Sequence, residues 1–332
     1  MTADDVAIDI KFAGVCHSDL HQARDEWGGS LFPMVPGHEI AGLVTAVGAN
    51  VSDFKVGDKV GVGCMVDSCR SCANCGKGEE QYCATGCVFT YNGKAKYAHC
   101  AEYNEQGGAP TYGGYSQSIV VDKRFVLRIP DNLDMAGAAP LLCAGITTYS
   151  PFIAYGLKPH MKLGVIGLGG LGHMGVKIGK AMGNHVTVIS RGVTKKADAM
   201  ESLHADAYLD STDGDAMKAA AGSFDFLYCT VSAPFDIATY TDLLGLDGTI
   251  VLVGVPPEKL SFSAFNVIGG RKRIGGSLIG GVLQTQQMLD FCGAHNIVSD
   301  IELISADKIN DAYERLAKSD VKYRFVIDAS TI

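Results

Sequence analysis

The G-x-G-x-x-G motif Gly167-Leu168-Gly169-Gly170-Leu171-Gly172 determines how the second half of this chain is expected to fold. An apolar segment over residues 162–166 precedes it, a helical pattern over residues 173–182 follows, and another apolar segment covers residues 185–190. Dinucleotide-binding units have this order of strand, glycines, helix and strand, because the glycines let the backbone turn and bring a helix N-terminus against a pyrophosphate. We therefore predict a doubly wound parallel sheet.

The residues at the end of the second predicted strand indicate which dinucleotide is bound. A protein that binds NAD carries an acidic residue there, which accepts a hydrogen bond from the ribose 2′-hydroxyl. This chain has Ser190 followed by Arg191 and Lys195, whose charges attract a 2′-phosphate that an acid would repel. The alternative is a solvated helix start with ordinary basic residues. The pattern favours NADP, and Val253 and Ser277 are further candidate cofactor contacts.

Four cysteines form the strongest local pattern in the chain, Cys69-x-x-Cys72-x-x-Cys75 followed by Cys83. Gaps of two residues let a loop wrap a tetrahedral ion, and an all-cysteine set is typical of a closed structural zinc site. An iron–sulfur cluster is the main alternative, although the usual ferredoxin spacings differ from this one. We predict a structural zinc that stabilises a lobe too rich in glycine and charge to bury a core.

The rest of the first half is expected to form a small β-barrel. Residues 6–12 alternate between apolar and polar side chains, as in a half-buried strand, and regularly placed glycines punctuate the segments that follow. Two polar stretches, Cys16-His17-Ser18-Asp19-Leu20-His21 and Gly37-His38-Glu39, are by themselves compatible with a capped turn and a structural histidine. Cys143 lies in an apolar run, where a cysteine is usually an inert core residue.

Length and composition exclude several classes of protein. A chain of 332 residues with 47% hydrophobic residues suggests two domains, each with its own core. The net charge of -8 argues against nucleic-acid and anionic-membrane partners, which need a basic face. The first ten residues lack the pattern of a signal peptide, and no stretch reaches the length of a membrane span. We expect a cytoplasmic protein whose 11 cysteines serve metal binding or catalysis.

Several motifs together resemble the zinc-containing medium-chain alcohol dehydrogenases. They are Gly37-His38-Glu39-x-x-Gly42-x5-Gly48-x-x-Val51, the four-cysteine loop and the glycine motif. Four more are similar to the cinnamyl alcohol dehydrogenase branch, especially its broad-specificity bacterial aldehyde reductases: Val60-Gly61-Val62-Gly63-Cys64, residues 140–147, Gly172-His173-Met174-Gly175 and Lys322-Tyr323-Arg324-Phe325. The resemblance covers nearly the whole chain. It implies a GroES-like β-barrel catalytic domain of residues 1–143 and 282–332, and a Rossmann NADP-binding domain of residues 144–281.

The resemblance also implies how the polar residues are used. It assigns Cys16, His38 and Cys143 to a catalytic zinc, with Glu39 beside the metal or as an alternate ligand. Three protein ligands leave one position open, as catalytic zinc requires. It further implies that Asp19 orients His38, and that Ser18 and His21 pass the proton by way of the cofactor ribose. Thr147 is expected to touch the nicotinamide end of the cofactor. The 2′-phosphate is expected to be bound by Ser190, Arg191 and Lys195.

The implied activity is NADP-dependent interconversion of aldehydes and primary alcohols, with two zinc ions per chain. The candidate substrate pocket is apolar and aromatic, which suits aromatic or medium aliphatic aldehydes. Its residues are Trp27, Cys64, Phe89, Leu278 and Ile279. The family resemblance further implies a homodimer.

One departure from the family leaves alternatives open. Family members begin with additional strands before the segment that matches Val6, so the first barrel is expected to have an exposed edge. The loop over residues 86–107, of a kind that often forms a lid, differs from that of the plant enzymes. The rival readings are an N-terminally truncated, inactive NADPH-binding protein and a zinc-free enone reductase. The second has no use for Cys16, His38 and Cys143.

Overall fold

The computed structural model describes residues 1–97 and 108–332, so part of the predicted loop over residues 86–107 lies outside the described residues. In chain order the strands are β1 (Asp5–Val15), β2 (Ile40–Val47), β3 (Lys59–Val62), β4 (Met65–Asp67), β5 (Val88–Phe89), β6 (Ser118–Asp122), β7 (Leu127–Arg128), β8 (Lys162–Ile166), β9 (His185–Ser190), β10 (Ala207–Asp210), β11 (Phe224–Cys229), β12 (Leu244–Leu252), β13 (Arg273–Gly276), β14 (Ile301–Ser305) and β15 (Arg324–Asp328). The α-helices are α1 (His17–Ala23), α2 (Met135–Ala138), α3 (Ala144–Ala154), α4 (Gly170–Ala181), α5 (Gly214–Ala219), α6 (Ile237–Thr241), α7 (Phe265–Ile268), α8 (Val282–His295) and α9 (Ile309–Ala317).

The contacts divide the chain into two compact units. The first comprises Met1–Ile146 and Ile279–Ile332, and the second Thr147–Leu278. The domain boundaries predicted from the sequence, at 143/144 and 281/282, fall close to these limits and stay a prediction. Among the described helices, no single one has the length and hydropathy of a membrane span; one bent pair, Met135–Leu142 with Ala144–Ala154, reaches them on length and composition alone.

A seven-stranded, mainly antiparallel sheet forms the framework of the first unit. Its strand order is β14-β15-β1-β2-β3-β7, and β6 also pairs with β1. The alternation predicted near the start of the chain is confirmed, because Val6, Ile8 and Ile10 are at most 2% exposed and pack in one core cluster with Ile40 and Val60. At the end of β1 the chain turns directly into α1, which places Cys16 at the helix start.

The edges of this sheet show where the expected exposed strand lies. β1 pairs with β2 along one edge, and with β6 and then β15 along the other. Among the described strands β6 pairs only with β1, so its second edge is free, and Val120 on it is 49% exposed. The strands after residue 300 complete the sheet, because β15 pairs antiparallel with β1 and β14 lies parallel to β15.

The second unit contains a six-stranded parallel sheet in the order β10-β9-β8-β11-β12-β13. Counted within the unit this order is 3-2-1-4-5-6, the arrangement of dinucleotide-binding folds, which confirms the predicted doubly wound sheet. The glycine motif joins β8 to α4. Gly167 has a φ of +89°, and a side chain at Gly172 would collide with the Gly167 carbonyl, so both positions require glycine.

Candidate functional site

The structure brings Cys16, His38, Glu39 and Cys143 together in the first unit. Cys16 lies between β1 and α1, His38 and Glu39 immediately precede β2, and Cys143 lies between a short helical turn and α3. One ligand atom from each of the four residues lies within 4.8 Å of the others, and all four residues are buried. This grouping agrees with the predicted catalytic metal site.

The sulfur spacing provides a test of whether a zinc ion fits. A tetrahedral ion with Zn–S bonds of about 2.3 Å separates two of its sulfur ligands by about 3.8 Å. The Sγ atoms of Cys16 and Cys143 are 3.9 Å apart. Two thiol sulfurs and one imidazole nitrogen at this spacing suit zinc, and leave a fourth position for a small molecule.

Asp19 holds the metal-ligand residues in place. Its carboxylate is fully buried; Oδ1 is 3.0 Å from His38 Nδ1 and accepts from the Gly37 amide at 3.2 Å. The second oxygen, Oδ2, accepts from the Cys16 amide at 2.8 Å and from the Tyr115 hydroxyl at 3.1 Å. Since Nδ1 of His38 faces this carboxylate, Nε2 is the atom left for a metal. The Asp19 contact agrees with the predicted role, whereas no local pattern indicated a role for Tyr115.

Asp19→Asn is expected to weaken zinc binding at this site by about 10- to 100-fold, because the amide cannot accept from every donor that surrounds the carboxylate. Competition with a chromogenic chelator measures the change. Tyr115→Phe, which removes one donor and leaves His38 oriented, serves as the matched control and should change affinity by less than about threefold. Unchanged zinc affinity in Asp19→Asn would contradict the role of this carboxylate.

Hydrogen bonding, burial and charge shift the pKa values of the buried thiols and of His38. A hydrogen bond with Cys143 holds the pKa of Cys16 well below its ordinary value in spite of burial, and the same bond raises the pKa of Cys143. Burial alone would lower the pKa of His38, but the Asp19 carboxylate raises it well above its usual range. The two thiols therefore share a proton, which a bound cation would displace.

Glu39 forms a buried ion pair that sequence reasoning missed. Its Oε1 accepts a hydrogen bond from Arg324 Nη2, and the two side chains are 0% and 3% exposed. The other carboxylate oxygen, Oε2, is buried without a hydrogen-bond partner among the described residues. The side chain packs against Gly14, where any larger residue would overlap it. Arg324 belongs to the motif Lys322-Tyr323-Arg324-Phe325, which resembles the family, but no local pattern indicates that it pairs with Glu39, 285 positions away.

The predicted proton relay is only partly assembled. Ser18 Oγ lies 3.6 Å from Cys16 Sγ. His21 instead contacts the Glu26 carboxylate through Nδ1, and its ring centroid is 4.9 Å from that of Trp27. The roles of Ser18 and His21 stay predictions.

The four cysteines of the loop also converge. Cys75 Sγ is 3.9 Å from Cys69 Sγ and 3.5 Å from Cys72 Sγ, and all four sulfurs lie within 4.8 Å of one another. This spacing matches a single tetrahedral ion, whereas an iron–sulfur cluster places several atoms between its thiolates and needs a wider cage. Backbone amides donate to the sulfurs of Cys69, Cys72 and Cys83, as they do to metal-bound thiolates.

The predicted cofactor residues cluster at the carboxyl ends of the second unit's strands. Ser190 ends β9, and the amides of Val253 and Ser277 bond to the ends of neighbouring strands. Lys195 Nζ donates to the Leu168 carbonyl of the glycine loop at 2.7 Å. In sheets of this type, ligands bind along this edge. Thr147 is buried at the start of the unit, where its carbonyl accepts from the Tyr228 hydroxyl at 3.3 Å.

The predicted substrate residues are dispersed. Cys64 and Ile279 line a cavity in the first unit of about 20 Å³, enough for one water. Trp27 and Phe89, also in this unit, are 52% and 44% exposed. Leu278 belongs to the second unit and is 47% exposed. The assignment of these residues to a substrate pocket stays a prediction.

An antiparallel unit with an open thiolate–imidazole site and a parallel dinucleotide-binding unit define the class of zinc-dependent dehydrogenases. Family models agree, since residues 2–131 match the alcohol dehydrogenase GroES-like domain and residues 170–294 match the zinc-binding dehydrogenase domain. The chain belongs to this family of zinc-binding alcohol dehydrogenases, which confirms the resemblance seen in the sequence.

Similar proteins extend over almost the full chain. The probable formaldehyde dehydrogenase AdhA of Bacillus subtilis is 54% identical over 99% of this chain and 91% of its own length. The NADP-dependent alcohol dehydrogenase C 1 of Mycolicibacterium smegmatis is 52% identical over the same shares. Among solved structures, a cinnamyl alcohol dehydrogenase from Sorghum bicolor has a TM-score of 0.94 and 48% identity over 99% of this chain and 91% of its own. The enzyme called CAD from Helicobacter pylori, solved with NADP(H), has a TM-score of 0.88 and 41% identity over the same shares.

Proposed function

We propose that this protein is an NADP(H)-dependent alcohol dehydrogenase that interconverts aldehydes and primary alcohols and holds two zinc ions per chain. The observation that carries the proposal is the buried Cys16–His38–Cys143 group, whose sulfur separation of 3.9 Å suits a zinc ion with an open fourth position. A zinc-free enone reductase has no use for such a group. The matches to enzymes over 99% of the chain argue against the inactive alternative.

The residues around the metal site have distinct tasks in this reaction. A bound zinc supplies a Lewis acid that polarises a carbonyl oxygen and stabilises the negative charge that develops on it. Cys16, His38 and Cys143 hold the ion, and Asp19 keeps the His38 ring in the orientation that exposes Nε2. Arg324 forms an ion pair with Glu39, so the negative charge of this carboxylate is compensated without a metal ion.

Proton transfer falls to two side chains of α1. Ser18 Oγ lies beside the metal ligands and exchanges the proton of the substrate hydroxyl. His21, in the last turn of α1, carries that proton onward by way of the cofactor ribose and releases it to solvent. Its side chain is 31% exposed, and its Nδ1 contacts the Glu26 carboxylate.

The preference for NADP rests on the turn after β9. Ser190 stands where an acid would select NAD. Burial and the adjacent charge of Arg191 lower the pKa of Lys195, because two cations are held close together there. A 2′-phosphate between them would relieve this repulsion and form charge-assisted hydrogen bonds with both.

The proposed substrates are aromatic and medium aliphatic aldehydes. The names of similar proteins include formaldehyde, mannitol and cinnamyl alcohol dehydrogenases, which supports a class of small alcohols rather than one compound. The predicted substrate residues, Trp27, Cys64, Phe89 and Ile279 in the first unit and Leu278 in the second, are apolar or aromatic, which suits such substrates. We further propose a cytoplasmic homodimer.

Metal analysis combined with a substrate panel tests the function. The purified protein is expected to contain about two zinc ions per chain. It should oxidise NADPH in the presence of cinnamaldehyde or benzaldehyde, with kcat/KM for NADPH about a hundredfold above that for NADH, since each phosphate contact contributes about 1.5 kcal/mol or more. Absence of aldehyde-dependent NADPH oxidation across the panel would refute the activity. NADPH binding without any turnover would support the inactive alternative instead.

A further inference from the structure

The turn that carries Arg191 is bound to the neighbouring strand through both backbone groups of one residue, Gly192. Gly192 has a φ of +65°, a conformation that glycine adopts readily. Its amide donates to Asp210 Oδ1 at 2.8 Å, and its carbonyl accepts from the Tyr208 hydroxyl at 2.7 Å. Both partners belong to β10, which lies parallel to β9 with Asp210 opposite Ser190.

Asp210 is itself held in position. The same oxygen, Oδ1, accepts from the amide of Thr212 at 2.9 Å and from its hydroxyl at 2.7 Å. These bonds and the one from Gly192 lower the pKa of Asp210, so the carboxylate is ionised at neutral pH. A charged acceptor makes stronger hydrogen bonds than a neutral one, and it gains them here from backbone groups that cannot rotate away.

A third contact fixes the far side of the turn. Lys195 reaches back to the Leu168 carbonyl, in the loop that approaches the pyrophosphate. Arg191 and Lys195 carry like charges and repel each other; burial lowers the pKa of Lys195, and the charge of Arg191 adds to this effect. Without restraint the turn would relax to separate them, so the bonds at Gly192 oppose the force that two cations side by side create.

We propose that Asp210 and Tyr208 are positioning residues that hold the Gly192 turn so that Arg191 and Lys195 converge on the 2′-phosphate of the cofactor. The inference rests on the proposed preference for NADP and goes beyond it, because neither residue supplies a positive charge. Both act by keeping the two cations in place before the cofactor arrives, which lowers the entropy lost on binding.

Binding of two small probes isolates this effect. Adenosine 2′,5′-bisphosphate (2′,5′-ADP) carries the 2′-phosphate, and 5′-AMP lacks it, so the ratio of their dissociation constants reports on the 2′-phosphate alone. Asp210→Ala and Tyr208→Phe are each expected to weaken 2′,5′-ADP by about tenfold while changing 5′-AMP by less than about twofold. At saturating NADPH, kcat should stay within about twofold of wild type, so that the change appears in KM for NADPH.

Two further variants separate positioning from general stability. Asp210→Asn keeps an oxygen that accepts from Gly192 and Thr212. Unlike Asp210→Ala, it should therefore retain most of the wild-type preference for 2′,5′-ADP over 5′-AMP. Asp213→Ala removes a comparable aspartate, which caps α5 by accepting from the amides of Asp215 and Ala216 and whose side chain has no hydrogen bond to the Gly192 turn among the described residues. It is expected to lower the melting temperature without changing the ratio of the two dissociation constants.

The possible failures are distinguishable. If the wild-type protein binds 2′,5′-ADP no more tightly than 5′-AMP, the preference for NADP is wrong and the inference falls with it. If the wild type prefers 2′,5′-ADP over 5′-AMP, and Asp210→Ala and Tyr208→Phe show the same preference, only the positioning role is wrong. Tighter binding of 2′,5′-ADP by both Asp210 variants would show that this carboxylate repels the phosphate, and would also overturn the inference.

Discussion

Cys143→Ser is expected to lower kcat for aldehyde reduction by about a thousandfold or more while the affinity for NADPH stays within about twofold of wild type. Cys143 is buried at the metal site, 3.9 Å from its thiol partner Cys16, and a serine hydroxyl is a poor replacement for a soft thiolate. Loss of Lewis-acid stabilisation costs about 4 kcal/mol, and each 1.36 kcal/mol is tenfold in rate. Steady-state kinetics with NADPH and cinnamaldehyde, fluorescence titration with NADPH and metal analysis measure the three quantities.

Cys292→Ser provides the matched control for this exchange. Cys292 is a fully buried cysteine of the same unit, whose thiol contacts only the Met288 sulfur at 3.6 Å among the hydrogen bonds of the described residues. Burial raises its pKa to about 12, as expected for an inert core thiol. This variant should lose stability but keep its zinc content and kcat. A Cys143→Ser enzyme with retained rate, or equal losses in both variants, would remove Cys143 from the site.

Arg324→Met is expected to destabilise the protein by about 3–5 kcal/mol, because it leaves the Glu39 carboxylate buried without a partner. The two side chains are 3% and 0% exposed, so water cannot replace the lost guanidinium. Urea unfolding followed by circular dichroism at a fixed free zinc concentration measures the change. Arg271→Met is the control, because it breaks an ion pair at the surface, where Arg271 and its partner Asp247 are 72% and 53% exposed. This substitution should lower the free energy of unfolding by at most about 1 kcal/mol.

Adding Glu39→Gln to Arg324→Met should restore much of the lost stability, because the uncompensated charge disappears with the substitution. The four proteins form a double-mutant cycle, and a coupling energy of about 2 kcal/mol or more is expected for a buried pair. If the single and double variants are equally unstable, the cost arises from packing of the arginine stem and not from the charge of Glu39.

Much of the fold follows from short-range patterns in the sequence. The parallel sheet was predictable because strand, glycine loop and helix succeed one another within about 30 residues, and Gly172 must approach the Gly167 carbonyl. The four-cysteine loop was predictable for the same reason, since its ligands lie close together in the chain. In contrast, the pairing of β15 with β1 joins opposite ends of the sequence, and no local signal indicates which strands meet.

The supporting residues of the sites were harder to foresee than the ligands. Cys16, His38 and Cys143 could be named because their motifs resemble those of a known family, since each stretch alone was compatible with a structural role. Arg324, Tyr115 and Tyr208 contact residues that lie 285, 96 and 16 positions away in the sequence, and arginine and tyrosine occur in many surroundings. The assignment of residues such as Trp27 to a substrate pocket stays a prediction, because it depends on side-chain exposure, which the sequence does not encode locally.

The closure of the first sheet by its last strands has a consequence during synthesis on the ribosome. Residues 147–278 are contiguous, so this unit can fold as soon as it has left the exit tunnel. The first unit must wait, because β1 lacks its β15 partner and Glu39 its Arg324 until nearly the whole chain is made. The nascent chain thus exposes reactive thiols and an incomplete sheet throughout translation, a period in which early zinc capture and chaperone binding would protect it.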